Sequence, residues 1–408
     1  MAIIVKWHQA PPSSPIFSRK LFVATVVLII FIVYVSNLGK MMSVTDDDDK
    51  KYIQYITGMG KTEKFSTTPN TCQPKEHVLF LKTHKTGSST ITNILNRYGD
   101  FHNLTFALPQ DGFFNFFWPL SFESTFIADL KGKRPNIFSN HARWNRKSMT
   151  ELMRPNAVFI TILRNPVSQF ESTFSYMEFA QLLRIKDSKN SLATFFVDPI
   201  NTLAKLSDLS ESGSVFPYLN LLKNGQFFDL GLEKEQYFTH KKIKEALNEI
   251  DGSFHLVLLM EYFDESLILL ARELCWDIRD VVYFRLNQRK SSDANTNLSE
   301  ELVQKIRQWN RADVLLYNYF NRTFWNKIEK LGNMFWIDVH RLRNYNKMLE
   351  EECLLPGEHF GKAYAKQSKF IQGYALKENI TPQLRLLCGK MITNEIDYME
   401  YLRKKALN

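Results

Sequence analysis

The sequence is poor in cysteine and has no closely spaced cysteine and histidine pairs. Its 408 residues include four cysteines, none of them in a Cys-x-x-Cys pair. Structural zinc sites need such clusters, so no zinc is expected. The basic residues are dispersed, without a long tract or a zinc-finger or RNP-like pattern, which argues against a nucleic-acid partner. Asp-x-Asp, a frequent metal-binding motif of glycosyltransferases, occurs only in the acidic run at 46–49.

Positive charge is present in excess. The net charge is +9 and the pI is near 9.1, with 44% hydrophobic residues. Such a composition is typical of a globular protein with an anionic partner, such as a nucleotide, an acidic glycan or a membrane surface. Solubility alone would also account for the charge.

One apolar run is long enough to span a membrane. Residues 21–38 are uncharged and follow Arg19 and Lys20. Positive charge before such a span keeps the N-terminus cytoplasmic. The charged leader is long and no clear cleavage site follows, so a retained signal anchor is favoured over a cleaved signal peptide. A short span suits the thin membranes of the early secretory pathway and favours the Golgi.

This anchor divides the chain into a cytoplasmic tail (1–20), a transmembrane helix (21–38), a luminal stem (39–75) and a luminal catalytic domain (76–408). The cysteines all follow the span, in a compartment that permits disulfides, and three pairings are open: Cys72, Cys275, Cys353 and Cys388. Sequons for N-glycosylation also follow it, at Asn103, Asn297, Asn321 and Asn379.

Apolar runs at 77–81, 156–163 and 254–260 alternate with helical patterns. Continuous apolar strands flanked by helices predict an α/β domain with a buried parallel sheet. From about residue 299, apolar residues recur at helical spacing, which predicts a helical C-terminal part.

The first apolar run leads into a loop rich in lysine and hydroxyl groups, KTHKTGSST at 82–90, and then into an amphipathic helix. A loop between a strand and a helix N-terminus binds anions, because the helix dipole and backbone N–H groups point at the ligand. Gly87 allows close backbone approach and Lys85 supplies a charge. The loop is not a Walker A motif, since Lys82 stands where its first glycine would be.

A second anion site is predicted at the end of the next strand. Arg164 follows the run AVFITIL, and Ser172 lies two turns into the following helix. An arginine and a hydroxyl so placed can hold a second phosphate.

These segments resemble the secretory-pathway carbohydrate sulfotransferases. The loop is similar to their 5′-phosphosulfate motif, and LRNPVSQFESTFSY is similar to their 3′-phosphate motif. More closely, FLKTHKTGSSTITNIL, FHLVLLMEYFDESLILL and ELCWDIRDVVYFRLN resemble the galactose-3-O-sulfotransferase family. The resemblance extends from about residue 72 nearly to the C-terminus.

The resemblance implies a P-loop-like sulfotransferase fold and PAPS (3′-phosphoadenylyl sulfate) as sulfuryl donor. It implies transfer to the 3-hydroxyl of a β-galactosyl residue on a glycolipid or glycoprotein glycan, without a metal ion. Arg164 and Ser172 would bind the 3′-phosphate. The residues expected around the 5′ side are Lys82, Thr83, Lys85, Thr86, Gly87, Ser88, Ser89 and Thr90.

Three residues are candidates for the chemistry. Lys85 occupies the place of the lysine that stabilises the leaving phosphate in similar sulfotransferases. His141 and His84 are alternative bases for the acceptor hydroxyl, since histidine titrates near working pH. Glu261, at the end of the third apolar run, is a candidate substrate contact.

Two other functions share parts of this pattern: a Golgi glycosyltransferase with the same topology, and a noncatalytic glycan-binding protein. The acceptor's carrier, lipid or protein, is left open by the sequence. Golgi enzymes are often dimers, so a homodimer is an expectation that no residue pattern specifies.

Overall fold

A computed structural model describes residues 72–186, 190–207, 216–233, 239–286, 298–357, 359–360 and 372–407. The predicted tail and transmembrane helix (1–38), nearly all of the predicted stem and the sequon at Asn297 lie outside the described residues. No helix within the described ranges is both long and apolar enough to cross a membrane.

A parallel sheet of five strands lies at the centre of the fold. The strands are β1 (Val78–Leu81), β2 (Phe106–Ala107), β3 (Ile137–Phe138), β4 (Val158–Leu163) and β5 (Leu256–Leu259). Their order is β2-β3-β1-β4-β5, and every neighbouring pair is parallel. β1, β4 and β5 are buried along their whole length, which explains why their sequences are continuously apolar.

Helices flank the sheet, as the alternating pattern predicted. In chain order they are α1 (Ser88–Phe101), α2 (Arg146–Leu152), α3 (Pro166–Tyr176), α4 (Phe179–Leu182), α5 (Ser191–Phe195), α6 (Pro199–Ser207), α7 (Gly225–Asp229), α8 (His240–Ser253), α9 (Phe263–Leu274), α10 (Glu300–Trp309), α11 (Arg311–Glu329), α12 (Asn333–Cys353), α13 (Pro382–Ile392) and α14 (Glu395–Leu407). Short 3-10 helices span Ser124–Phe126, Phe216–Leu222, Met260–Tyr262 and Ile278–Val281.

The helical C-terminal part packs on the rest of the domain. α11 lies against β5 and α7, α12 lies against α9, and both α13 and α14 lie against α1. A short antiparallel pair, β6 (His359–Phe360) and β7 (Gln372–Gly373), interrupts the helices. The α/β class, the parallel sheet and the helical C-terminal part are therefore confirmed.

The four cysteines form two disulfide bonds. Cys72 bonds to Cys275, 203 residues away, and ties the start of the domain to the end of α9. Cys353 bonds to Cys388 and joins α12 to α13. This answers the pairing that the sequence left open.

The described sequons differ in accessibility. Asn103 and Asn379 are exposed. Asn321 lies within α11, and its Oδ1 is buried without a hydrogen-bond partner in the described part of the chain.

Candidate active site

The two predicted phosphate loops lie side by side at one edge of the sheet. β1 and β4 are neighbouring parallel strands, so their carboxyl ends lie together. The first loop follows β1 and leads into α1, while Arg164 follows β4 and precedes α3. In open parallel sheets this edge is where ligands bind.

The first loop packs tightly against the side chain of Met260 at Gly87. This residue has φ 75° and caps α1, and a Cβ added there would lie 2.2 Å from Sδ of Met260. Only glycine fits both the left-handed backbone and this contact. The first turn of α1 has no acidic residue, so the positive end of its dipole is available to an anion.

The hydroxyl groups of the loop hold it in shape. Thr86 Oγ1 and Ser88 Oγ donate to the carbonyl oxygen of Thr83 at 3.1 and 2.8 Å. Thr83 Oγ1 donates to the carbonyl oxygen of Ile162 at 2.5 Å, and Thr90 Oγ1 accepts from the N–H of Leu286 at 3.2 Å. These contacts join the loop to β4 and to the segment after α9.

Lys82 and Ser89 face a carboxylate of the last helix. Lys82 is 1% exposed and forms an ion pair with Glu395, and its Nζ donates to Ser89 Oγ at 3.1 Å. Burial lowers the pKa of Lys82, and the carboxylate of Glu395 opposes this shift. The sequence predicted Lys82 and Ser89 at the donor site but did not predict this contact.

Arg164 connects the second loop to the first. Its Nη1 donates to the carbonyl oxygen of Lys85 at 3.1 Å. Its backbone N–H and C=O are both held by the side-chain amide of Gln226, at 2.8 and 2.9 Å. The Lys85 ammonium lies 3.4 Å from the ring centroid of Tyr176, at the end of α3. Ser172, 8% exposed, lies on the same helix.

The structure brings both candidate bases together. The rings of His84 and His141 are stacked, with centroids 4.1 Å apart, and the Trp118 ring lies 4.4 Å from His84. Trp118 belongs to the aromatic run after Gly112, in which Phe113 and Phe114 are partly exposed.

A buried carboxylate faces His84. Asp229 is fully buried, and His84 Nδ1 lies 3.0 Å from each of its oxygens. The backbone N–H of His84 donates to Asp229 Oδ2 at 2.7 Å, and Trp118 Nε1 donates to Oδ1 at 2.9 Å. Charge-assisted hydrogen bonds of this kind fix side-chain orientation.

His141 has a different environment. Burial lowers its pKa well below the ordinary value, and the side chains of His84, Lys82 and Lys85 add to the shift. Its Nδ1 is buried without a hydrogen-bond partner in the described part of the chain. A polar atom in this condition is a position that a bound ligand can satisfy.

Glu261 lies at the same edge of the sheet, but protein groups contact its carboxylate. Its Oε1 accepts from the N–H of Asn165 at 2.8 Å, and its Oε2 accepts from the Tyr317 hydroxyl at 3.0 Å. The contact with Asn165 supports the N-terminus of α3. Burial raises the pKa of the Tyr317 hydroxyl, and the Glu261 carboxylate adds to the shift.

Metal ligands are not clustered in the described ranges. No group of three or more histidine, cysteine, aspartate or glutamate side chains there is placed to hold a metal ion.

Comparison with known sequences identifies the family of this site. The family profile described as Galactose-3-O-sulfotransferase matches residues 19–406. The chain belongs to the galactose-3-O-sulfotransferase family. The resemblance seen in the motifs is thereby confirmed, and the protein is a sulfotransferase.

The similar proteins include galactosylceramide sulfotransferases and galactose-3-O-sulfotransferases. The galactosylceramide sulfotransferase of Mus musculus is 39% identical over 344 residues, which are 81% of this chain and 79% of that protein. The galactose-3-O-sulfotransferase 2 of Mus musculus is 32% identical over 349 residues, 81% of this chain and 85% of that protein. The galactose-3-O-sulfotransferase 3 of Mus musculus is 32% identical over 344 residues, which are 80% of this chain and 77% of that protein.

Sequence reasoning missed several residues of this sulfotransferase site. Asp229 and Gln226 lie on α7, and Glu395 begins α14, all far along the chain from the loop they contact. No spacing pattern connects them to the loop. Tyr176 ends α3, one turn beyond Ser172, and this spacing is the one sequence signal that could have placed it at the site.

Proposed function

We propose that this sulfotransferase transfers a sulfuryl group from PAPS to the 3-hydroxyl of a β-galactosyl residue, by in-line displacement without a metal ion. The acceptor would be a glycolipid or glycoprotein glycan that ends in galactose. One observation supports this function most: the hydrogen bond from Arg164 to Lys85 places two cationic loops at one edge of the sheet. A donor with two separated phosphate groups needs such an arrangement.

The residues present fit a donor with an anionic group on each side. PAPS supplies a sulfuryl group attached to a phosphate that departs on transfer. Gly87 and the N-terminus of α1 would hold the 5′ side, and Arg164 with Ser172 would hold the 3′-phosphate. Lys85 would stabilise the charge that develops on the departing phosphate oxygen. One of the stacked histidines, His84 or His141, would accept the proton of the galactose hydroxyl.

We also propose the cellular placement expected from the sequence. The protein would be a single-pass type II Golgi membrane protein, with residues 1–20 cytoplasmic, 21–38 in the membrane, 39–75 as stem and 76–408 as the luminal catalytic domain. It would act as a homodimer. The apolar run, the charge before it and the disulfides support this placement.

The experiment is sulfate transfer by the full-length protein in detergent micelles, with sulfur-labelled PAPS and EDTA. Galactosylceramide, lactosylceramide and N-acetyllactosamine are offered as acceptors. We expect labelled product from at least one of them, and none from the same acceptor methylated on the galactose 3-hydroxyl.

Three outcomes would contradict parts of the proposal. Equal transfer to the methylated acceptor would reject the 3-hydroxyl. Loss of transfer in EDTA, with recovery on addition of a divalent cation, would reject metal independence. No transfer to any galactoside by protein that binds adenosine 3′,5′-bisphosphate would reject galactose as the acceptor and favour the glycan-binding alternative.

A further inference from the structure

The carboxylate of Asp229 contacts both the backbone and the imidazole ring of His84. It accepts from the His84 backbone N–H and from the Trp118 indole, and it faces His84 Nδ1 with both oxygens. It has no exposure to solvent. A buried ionised carboxylate needs donors on its oxygens, and here each of these neighbours supplies an N–H.

This contact determines which nitrogen of His84 holds the proton in the neutral ring. An ionised carboxylate only accepts hydrogen bonds, so Nδ1 must be the donor. Nε2 then has its lone pair free, on the edge of the ring that faces away from Asp229. No side chain in the described ranges hydrogen-bonds to Nε2. Neutral imidazole with a free Nε2 lone pair is the form that can accept a proton.

The neighbouring histidine lacks such a partner. No carboxylate in the described part of the chain contacts His141, and its Nδ1 has no hydrogen-bond partner there. Its depressed pKa makes it a weak proton acceptor at neutral pH. It is therefore suited to contact a ligand as a neutral ring.

Asp229 is itself held firmly, although α7 has only five residues. Asp313 accepts from the N–H groups of Gln226 and Phe227 at 3.1 and 2.9 Å, and Asn224 Oδ1 accepts from the N–H of Asp313 at 3.2 Å. The Asp313 side chain thus accepts from free N–H groups at the start of α7, and the Asn224 side chain accepts from a free N–H group at the start of α11. α7 and α11 thus fix each other, and with them the carboxylate.

We propose that Asp229 is a positioning residue that fixes the tautomer and orientation of His84, and that His84 is therefore the base. This inference rests on the proposed function. In the step, the acceptor O–H proton passes to His84 Nε2 while the acceptor oxygen bonds to sulfur. The bond from sulfur to the phosphate oxygen breaks, and its electron pair leaves with adenosine 3′,5′-bisphosphate. The imidazolium, stabilised by Asp229, later releases its proton to water.

The decisive variants are Asp229→Asn and His84→Gln, alone and combined, in the full-length protein. An asparagine amide facing Nδ1 favours the wrong tautomer, so we expect kcat to fall on the order of 10²–10⁴-fold in each single variant. The double variant should fall no further than His84→Gln alone, because Asp229 acts through His84. KM for PAPS and the affinity for adenosine 3′,5′-bisphosphate should stay within about threefold. Asp229→Glu, which keeps the charge, should recover part of kcat.

Multiplicative losses in the double variant would overturn the proposal, as would an Asp229→Asn variant with unchanged kcat. If Asp229→Asn does not fold, the wild-type protein with ¹⁵N-labelled histidine decides: NMR must show His84 protonated on Nδ1, with its signal assigned by its loss in His84→Gln. Protonation on Nε2 would overturn the inference. Failure of the proposed function is distinct, since wild-type protein would then bind adenosine 3′,5′-bisphosphate and sulfate no galactoside.

Discussion

Glu395, the first residue of α14, forms an ion pair with the buried ammonium of Lys82, 313 residues earlier in the chain. The same carboxylate accepts from Ser89 Oγ at 3.3 Å. The last helix of the enzyme is thereby joined to the phosphate loop. The packing of this loop thus depends on a residue of α14.

We predict that Glu395→Gln destabilises the folded protein by about 3 kcal/mol, because it leaves Lys82 buried without its counter-charge. Urea unfolding of the full-length protein measures this. Glu400→Gln is the matched control: Glu400 lies on the same helix and pairs with Arg403 at 3.4 Å, but it is 47% exposed. The control should change stability by less than about 0.5 kcal/mol. Equal effects of the two variants would contradict a special role for the Lys82 pair.

Gly87 provides a second prediction. Gly87→Ala combines a left-handed backbone with a collision against Met260, so we expect lower stability and at least tenfold weaker binding of adenosine 3′,5′-bisphosphate, measured by calorimetry. Gly132→Ala is matched, since Gly132 has φ 76° but nothing within 4 Å of an added Cβ. It should reduce stability by about 1 kcal/mol and leave the affinity unchanged.

The collision itself can be tested with a second substitution. Met260→Ala removes the side chain that the new Cβ would meet, so the Gly87→Ala, Met260→Ala double variant should regain part of the lost affinity. No recovery would mean that backbone strain alone explains the loss at Gly87.

Sequence patterns predicted the parts of this fold that long local signals specify. β1, β4 and β5 are continuous apolar runs, and the predicted amphipathic helix after the first loop buries one face, which carries Ile91, Ile94, Leu95 and Tyr98. β2 and β3 have two residues each, too few for any periodicity, and their place is determined by pairing, β3 with β1 and β2 with β3. The disulfide pairing also needed the structure, because it depends on distances between remote segments.

The candidate active site was likewise predicted only where its residues belong to local sequence motifs. Lys85, Arg164 and the two histidines were predicted because they belong to contiguous motifs. Asp229 was not, because an aspartate after two phenylalanines has no distinguishing sequence signal. The place of Asp229 in the site is evident only from its burial and from its contact with the His84 imidazole.

Lys85 provides a third prediction, which depends on the proposed function. Lys85→Ala should lower kcat on the order of 10²–10³-fold, because charge on the departing oxygen loses its stabilising cation. Stability should change by about 1 kcal/mol or less, the usual contribution of a cation over an aromatic ring. Lys223→Ala is the matched control, since that ammonium lies 4.4 Å from the Trp309 ring centroid, outside the loop. It should leave kcat unchanged, and a kcat unaffected by Lys85→Ala would exclude the assigned role.

Asp313 provides a prediction of pH dependence. Burial raises its pKa from 3.8 to about 7, and the nearby charge of Asp229 adds to the rise, against the hydrogen bonds from Phe227 and Gln226. Between these pH values the folded protein retains a proton that the unfolded chain has released. The free energy of unfolding therefore decreases as pH rises through this window, and the contribution of the protonated carboxyl is lost above about pH 7.

The Asp313→Asn variant isolates this contribution, because an asparagine in that position does not titrate and the other ionisable groups are common to both proteins. Relative to the variant, the wild-type protein should lose on the order of 3 kcal/mol of unfolding free energy between about pH 4.5 and 7.5. Urea unfolding of both proteins across this range measures the difference. A difference that does not change with pH would mean that Asp313 is ionised throughout, with its charge balanced by the helix N–H groups it accepts from. A difference that falls as predicted would show that the Asp313 carboxyl is largely protonated in mildly acidic solution, as its burial between α7 and α11 requires.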